Sequence, residues 1–168
     1  MTTAGHADSG AHAAPNLCTE VLDQHETFQA PLADATSAAY RLVLNPLDQD
    51  SMEQLRVAWT FIEEDALPHM AQEEIHVFPR ATEAGVPPEI LEVLAMEHRA
   101  LRVLAEELRD RGMDRGAPPD DEGTLLLLRF LQSFEAHVQR EEAIFALYDG
   151  TNRVRSRRRR QRYVNTTS

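Results

Sequence analysis

The chain has 168 residues, which is long enough for one domain with a sizeable buried core. Its 28 acidic residues outnumber its 17 basic residues, all of them Arg, so the formal net charge of −11 argues against a body that binds nucleic acid or anionic membranes. The single cysteine, Cys18, excludes an internal disulfide framework, and no apolar run is long enough to span a membrane. Since no signal-peptide pattern is visible either, we expect a cytoplasmic protein.

Residues 1–15 are small and polar and show no apolar periodicity, so we predict a disordered arm there. The rest of the domain, residues 16–150, contains four segments in which apolar residues recur every three or four positions. This spacing keeps side chains on one face of a helix, and no segment shows the sustained alternation of a strand. The sequence therefore predicts an all-α domain of four helices.

The first two predicted helices each contain a proline. The first covers residues 16–44, and Pro31 should kink or split it because proline has no backbone N–H to donate. The second opens at residues 50–51, whose side chains suit a helix start, and ends near Gly85. We expect a local bend at Pro68 in this second helix.

The third predicted helix begins at residues 87–88, a Pro-Pro pair, and stops at Gly112. The fourth begins at residues 120–122, which are all acidic, and stops at Gly150. Connections of about five to ten residues between these helices predict an antiparallel up-down-up-down four-helix bundle. Residues 151–168 contain seven Arg and no acid, so we predict a separate Arg-rich tail.

Each predicted helix carries one histidine on its apolar face: His25, His69, His98 and His137. A single core histidine is usually satisfied by a hydrogen bond to a neighbour. In an up-down bundle, however, a rise of 1.5 Å per residue places all four about 14–18 Å from the same end of the core. Four neutral imidazoles at one level do not readily satisfy one another, whereas a metal ion does satisfy them.

Two glutamates share this pattern, since Glu73 follows His69 by four residues and Glu141 follows His137 by four. Both stand at positions of the apolar faces that otherwise hold Leu, Phe or Ile. A buried carboxylate without a cation would be driven to take up a proton. Four histidines and two glutamates therefore predict a core site for two metal ions, and imidazole with carboxylate suits iron, zinc or manganese.

Three further side chains near this site have less definite roles. Glu74 and Glu142 fall off the apolar faces, so we expect both to be solvated. His76 falls on the apolar face of the second helix, and three alternatives stay open for it. It is a seventh metal ligand, a polar group beside the ligands or at the mouth of the site, or an ordinary histidine.

The order H…HxxxE…H…HxxxE resembles the hemerythrin-like HHE cation-binding domain. The strings that carry the resemblance are DQHETF, HMAQEEIHVFP, MEHRAL and HVQREEAIF, and they fall within residues 17–148. Ferritin-like di-iron bundles are a poorer match, because their paired motif places Glu before His. The resemblance implies two iron ions joined by an oxo or hydroxo bridge. It makes His25, His69, His98 and His137 terminal ligands and Glu73 and Glu141 bridging ligands.

The sequence departs from the oxygen-carrying hemerythrins in two places. His98 has Leu94 and Arg102 four residues to either side, so the HxxxH pair of the third helix is missing. The last motif is HxxxE instead of HxxxxD. One imidazole fewer leaves a more open coordination sphere, and we do not expect reversible oxygen carriage.

The resemblance implies a protein that binds or reduces a small oxidant, namely dioxygen, hydrogen peroxide or nitric oxide. It leaves open whether the protein is an enzyme. The alternatives are a sensor of iron, oxygen or redox state that uses the Arg-rich tail as its interaction segment, or an iron-binding protein without catalysis. A third alternative is a plain bundle with hydrogen-bonded histidines and no metal. The tail is either a solvated arm or a segment that contacts nucleic acid or an acidic partner.

Overall fold

The structure, a computed structural model, describes residues 17–44, 49–117 and 119–164, so the predicted disordered arm lies outside it. Every regular element in these ranges is helical, which confirms the predicted all-α class. The elements are α1 (Leu17–Glu26), α2 (Gln29–Leu44), α3 (Gln49–Thr60), π-helical segment π1 (Phe61–Ala66), α4 (Leu67–Gln72), π-helical segment π2 (Glu73–Val77), α5 (Phe78–Glu83), α6 (Pro88–Asp110) and α7 (Asp121–Val164). None of the described helices is both long enough and apolar enough to cross a membrane.

The first predicted helix is split into α1 and α2, as Pro31 indicates. Pro31 lies in the first turn of α2, where a missing N–H costs nothing because such groups have no partner within a helix. In the turn between the helices, the N–H of Phe28 donates to the carbonyl of His25 at 3.0 Å. This turn buries Phe28, and its ring lies 6.1 Å from the ring of His25.

The second predicted helix runs without a break from α3 to α5 and contains both π-helical segments. Each segment ends just before a proline, Pro68 or Pro79. In an α-helix, the ring of proline clashes with the carbonyl four residues earlier. The wider π turn bonds five residues back, as from the N–H of Phe78 to the carbonyl of Glu73. The distortion that Pro68 predicts thus takes the form of a π segment that precedes it.

The third and fourth predicted helices begin where expected, because α6 starts at Pro88 and Asp120 caps α7. The N–H of Gly123 donates to the Asp120 carboxylate at 2.7 Å. The predicted stop at Gly150 is wrong, since α7 continues through it to Val164. Glycine inside a helix costs only about 1 kcal/mol relative to alanine, and the arginines that follow are good helix formers.

Two clusters of buried apolar residues form the core. The larger cluster includes Phe28, Ile62, Leu101 and Phe134. The smaller cluster includes Val21, Val77, Leu94 and Phe145. The chain passes from the smaller to the larger cluster in α1–α2, back again in α3–α5, forward in α6 and back in α7. Along every segment, the predicted site residues lie between the two clusters.

Phe134 is a fully buried member of the larger cluster, with its ring 5.8 Å from Phe28 and 5.7 Å from Phe61. We expect Phe134→Ala to lower the free energy of unfolding by about 3–5 kcal/mol, because it removes buried surface and leaves a cavity. Urea denaturation measures this loss. The control is Leu125→Ala on the same helix, since Leu125 is 60% exposed. Equal stability of the two variants would contradict the placement of Phe134 in the core.

Candidate metal centre

All six predicted site residues are buried, and they meet between the two apolar clusters. They come from five elements: His25 from α1, His69 from α4, Glu73 from π2, His98 from α6, and His137 and Glu141 from α7. The backbone brings them together because each one occupies a core position of its own helix. Their roles as metal ligands stay a prediction, but their convergence is a property of the fold.

The imidazoles form two facing pairs. The Nε2 atoms of His25 and His69 are 3.2 Å apart, and those of His98 and His137 are 3.0 Å apart. Two nitrogen lone pairs at this distance repel each other unless a proton or a cation lies between them. The pairing therefore creates two places at which a positive charge is stabilised.

The Nδ1 atoms on the outer side of three of these rings contact carboxylates. The Nδ1–oxygen distances are 3.2 Å from His25 to Glu142, 2.9 Å from His98 to Glu74 and 3.0 Å from His137 to Glu97. A carboxylate only accepts hydrogen bonds, so Nδ1 carries the proton and donates. In a neutral ring, Nε2 then presents its lone pair to the centre, which is the tautomer that binds a metal.

The sequence does not predict that these three carboxylates contact the site histidines. Glu74 and Glu142 were expected to be solvated, whereas both are only about a third exposed and accept bonds from the site histidines. In the sequence, the one hint of a role for Glu74 and Glu142 is that each directly follows a predicted site residue, Glu73 or Glu141. Glu97 gives no such signal, since it binds His137 on another helix and not its neighbour in sequence.

Glu73 lies between the two histidine pairs. Its Oε1 is 2.9 Å from Nε2 of His69, and its Oε2 is 3.4 Å from Nε2 of His98. Each oxygen of one carboxylate therefore faces a different pair. Glu141 is placed less symmetrically, because its Oε2 is 3.3 Å from Nε2 of His25 and 3.8 Å from Nε2 of His137.

The arrangement of these side chains favours bound cations over hydrogen bonds among the side chains themselves. Among the described residues, none of the four carboxylate oxygens of Glu73 and Glu141 has a hydrogen-bond partner, although all four are buried. A buried carboxylate costs several kcal/mol unless positive charge lies beside it, and neutral imidazoles do not supply that charge. Ligand atoms form two groups whose members lie within 4.8 Å of one another: His25, His69, Glu73 and Glu141, and Glu73, His98 and His137. The residues thus fit two cations that share Glu73.

Protons occupy part of this site when no metal is bound. Burial raises the pKa of Glu141 to about 8, and the nearby Glu73 carboxylate acts in the same direction. Burial by itself would lower the pKa of His25, but contacts with Glu141 and Glu73 outweigh it and raise that pKa to about 9. Burial also lowers the pKa of His137 to about 4, helped by a neighbouring imidazole. A metal ion that binds here displaces protons.

His76 does not belong to this centre. Its side chain is exposed and it is in neither group of ligand atoms, so the structure does not support it as a seventh ligand. Val77 takes the buried position instead. The π2 segment changes the register of the helix at this point, and a regular 3.6-residue period does not predict which of the two residues faces inward.

Two surface clefts reach the centre from different sides, and Phe28 lines both of them. The α2–α7 cleft has a volume of about 590 Å³ and reaches His25; its lining includes Leu32, Val138 and Glu142. The acidic cleft has a volume of about 390 Å³ and reaches His69; its lining includes Asp23, Glu64 and Asp65. Small molecules and ions therefore have routes to the buried histidines.

Comparison with known protein families gives a match over most of the chain. The model of a family described as the hemerythrin HHE cation-binding domain matches residues 17–147, which include all six site residues. No curated protein and no solved structure matches the chain significantly.

The stability of the metal-free protein should fall as the pH rises from about 6.5 to 9. The pKa values of His25 and Glu141 lie above their ordinary values of 6.5 and 4.5 in the folded protein. A group whose pKa is raised by folding stabilises fully below its unfolded pKa, and this stabilisation is lost as the pH rises through the folded pKa. Thermal melts of chelator-treated protein across this range measure the effect.

Glu141→Gln provides the control for this measurement, because an amide imitates the protonated carboxyl and does not titrate. Its melting temperature should fall less steeply than that of the unchanged chain. A melting temperature that rises from pH 6.5 to pH 9 in the metal-free native chain would contradict the assigned directions.

Proposed function

The chain belongs to the hemerythrin HHE cation-binding family, and we propose that its core holds two iron ions at which a small oxidant is bound or reduced. The observation that carries this proposal is the position of Glu73 between two facing histidine pairs. One carboxylate with an oxygen toward each pair is the arrangement expected of a bridge between two cations. A site for a single ion would not need the second pair.

We assign His25 and His69 to the first ion, His98 and His137 to the second, and Glu73 and Glu141 to both as bridging ligands. Imidazole and carboxylate together suit iron, and the one cysteine, Cys18, is in neither group of candidate ligand atoms. A bound di-iron unit with an oxo or hydroxo bridge supplies Lewis acidity and single electrons for chemistry on dioxygen, hydrogen peroxide or nitric oxide.

The protein residues around the proposed ligands orient them and pack against them. Glu142, Glu74 and Glu97 hold three imidazole rings through Nδ1, so that Nε2 stays aimed inward. Phe78 stacks on the ring of His98 at 5.5 Å. Glu142 also lines the α2–α7 cleft, which makes it the carboxylate best placed to pass a proton between solvent and the centre.

We also infer that the helices form an antiparallel four-helix bundle. The two apolar clusters serve as markers of the two ends of the core, and the chain passes between them in alternating directions. Such alternation is expected when successive segments run up and down. It supports α1–α2, α3–α5, α6 and α7 as the four members of the bundle.

A sensor is the second candidate function, and α7 is the observation that favours it. This helix carries His137 and Glu141 and continues without a break into the Arg-rich tail. A change in metal occupancy that moves these ligands would therefore also move the helix that carries the tail. Nucleic acid or an acidic protein would be the partner of the tail, and a cytoplasmic location is part of either proposal.

Protein purified from iron-supplemented cells should contain about two iron ions per chain, with an absorption spectrum that changes on adding azide, peroxide or nitric oxide. Glu73→Gln should lose iron from both positions, because its two oxygens face both histidine pairs. Metal analysis makes the measurement, and Glu83→Gln at an exposed site is the matched control. Native protein with fewer than about one iron per chain would refute the di-iron proposal.

Removing residues 151–168 separates the two candidate functions. If the protein is an enzyme, the iron-loaded shortened chain should consume peroxide or nitric oxide at the rate of the full chain, since the tail contributes none of the six proposed ligands. If it is a sensor, the full chain should bind nucleic acid or an acidic partner in a manner that depends on iron and weakens with salt. Peroxide consumption assays and binding titrations at two salt concentrations measure these outcomes.

A further inference from the structure

The acidic cleft is lined by three carboxylates, whereas the α2–α7 cleft is lined by two, Glu135 and Glu142. The charged groups of the acidic cleft other than His69 are the carboxylates of Asp23, Glu64 and Asp65, and no arginine lines it. The side chains of all three carboxylates are exposed. A recess lined by charges of one sign concentrates ions of the opposite sign and raises their association rate.

His69 at the inner end of this cleft also differs from the other site histidines. Its side chain is 6% exposed, the highest value of the four. Among the described residues, no carboxylate holds its Nδ1, whereas the other three rings are each held by one. Its Nε2 nevertheless lies 2.9 Å from the Glu73 carboxylate, whose oxygens have no hydrogen-bond partner in the described part of the chain.

We propose that the acidic cleft is the port through which divalent cations reach the centre, an inference that rests on the proposed metal-binding function. Asp23, Glu64 and Asp65 attract the hydrated cation and replace part of its water shell with carboxylate oxygens. His69 then takes the cation from the cleft, because it is the most exposed of the four histidines and lines the cleft. From His69, the cation passes to the Glu73 carboxylate, whose Oε1 lies 2.9 Å from Nε2 of His69.

The α2–α7 cleft is less suited to this task. Its lining carries apolar side chains such as Leu32 and Val138. Both of its carboxylates already accept hydrogen bonds, Glu142 from His25 and Glu135 from Gln139. The two clefts therefore provide an internal comparison, because they reach the two histidines of one pair through linings that differ in the number of carboxylates and in apolar side chains.

The test measures the rate at which metal-free full-length protein takes up Co²⁺, followed by the visible absorption of the bound ion. The variant is Asp23→Asn/Glu64→Gln/Asp65→Asn. Its uptake at low ionic strength should be at least about tenfold slower than that of the native chain, and high salt should narrow the difference. Metal content at the end of the reaction should equal that of the native chain, because the ligands are unchanged.

The matched control removes the same three charges elsewhere. Asp34→Asn/Glu83→Gln/Glu106→Gln alters exposed carboxylates outside both clefts, so the net charge changes equally. Its uptake should stay within about twofold of the native rate. Full loading of both triple variants at equal rates would overturn the port while leaving the metal centre intact. A native chain that takes up no Co²⁺ would instead refute the metal-binding function itself.

A second pair of variants tests the side of approach. Gln72→Lys places a positive charge in the acidic cleft, and Gln139→Lys places one in the α2–α7 cleft. Both glutamines are exposed, so neither change should unfold the protein. We expect Gln72→Lys alone to slow Co²⁺ uptake. Slower uptake by Gln139→Lys, with Gln72→Lys at the native rate, would show that cations use the other cleft and would overturn the proposal.

Discussion

The arrangement of the core depends on two carboxylates that are buried between clusters of apolar side chains. Glu73 and Glu141 are fully buried, and none of their carboxylate oxygens has a hydrogen-bond partner among the described residues. Charge in such surroundings is tolerated only beside opposite charge. The facing imidazole pairs define where that opposite charge lies. The match to a family of cation-binding domains supports a bound cation as its source.

This constraint explains why the core is divided. Each helical segment must present apolar residues, then polar ligands, then apolar residues again, and the two clusters on either side supply the burial that holds the ligands at one level. The π-helical segments fit the same requirement. π2 begins at Glu73 and ends just before Pro79, so a segment that accommodates a proline also sets the register of a central ligand.

Most of the centre could be predicted because its ligands obey spacings within single helices. His69 with Glu73 and His137 with Glu141 are four residues apart, and each histidine continues an apolar stripe. Contacts between helices leave no fixed spacing in the sequence. The contact of Glu97 with His137, which joins two helices, could therefore not be predicted. The inward placement of Val77 rather than His76 depends on a π turn, which a 3.6-residue period does not contain. The continuation of α7 through Gly150 reflects the helix propensity of the arginines, which outweighs a single glycine.

The break between α1 and α2, three residues before Pro31, leaves α1 as a helix of only ten residues that supplies one of the predicted site residues, His25. A helix of this length has little stability of its own and depends on what it is attached to. Besides His25, its buried side chains are Cys18 and Val21, so the imidazole contributes much of its anchorage. Under the proposed function, bound ions would therefore also hold the amino-terminal helix in place. Their loss would loosen α1 before the longer helices, so that metal supply would control local unfolding of this helix.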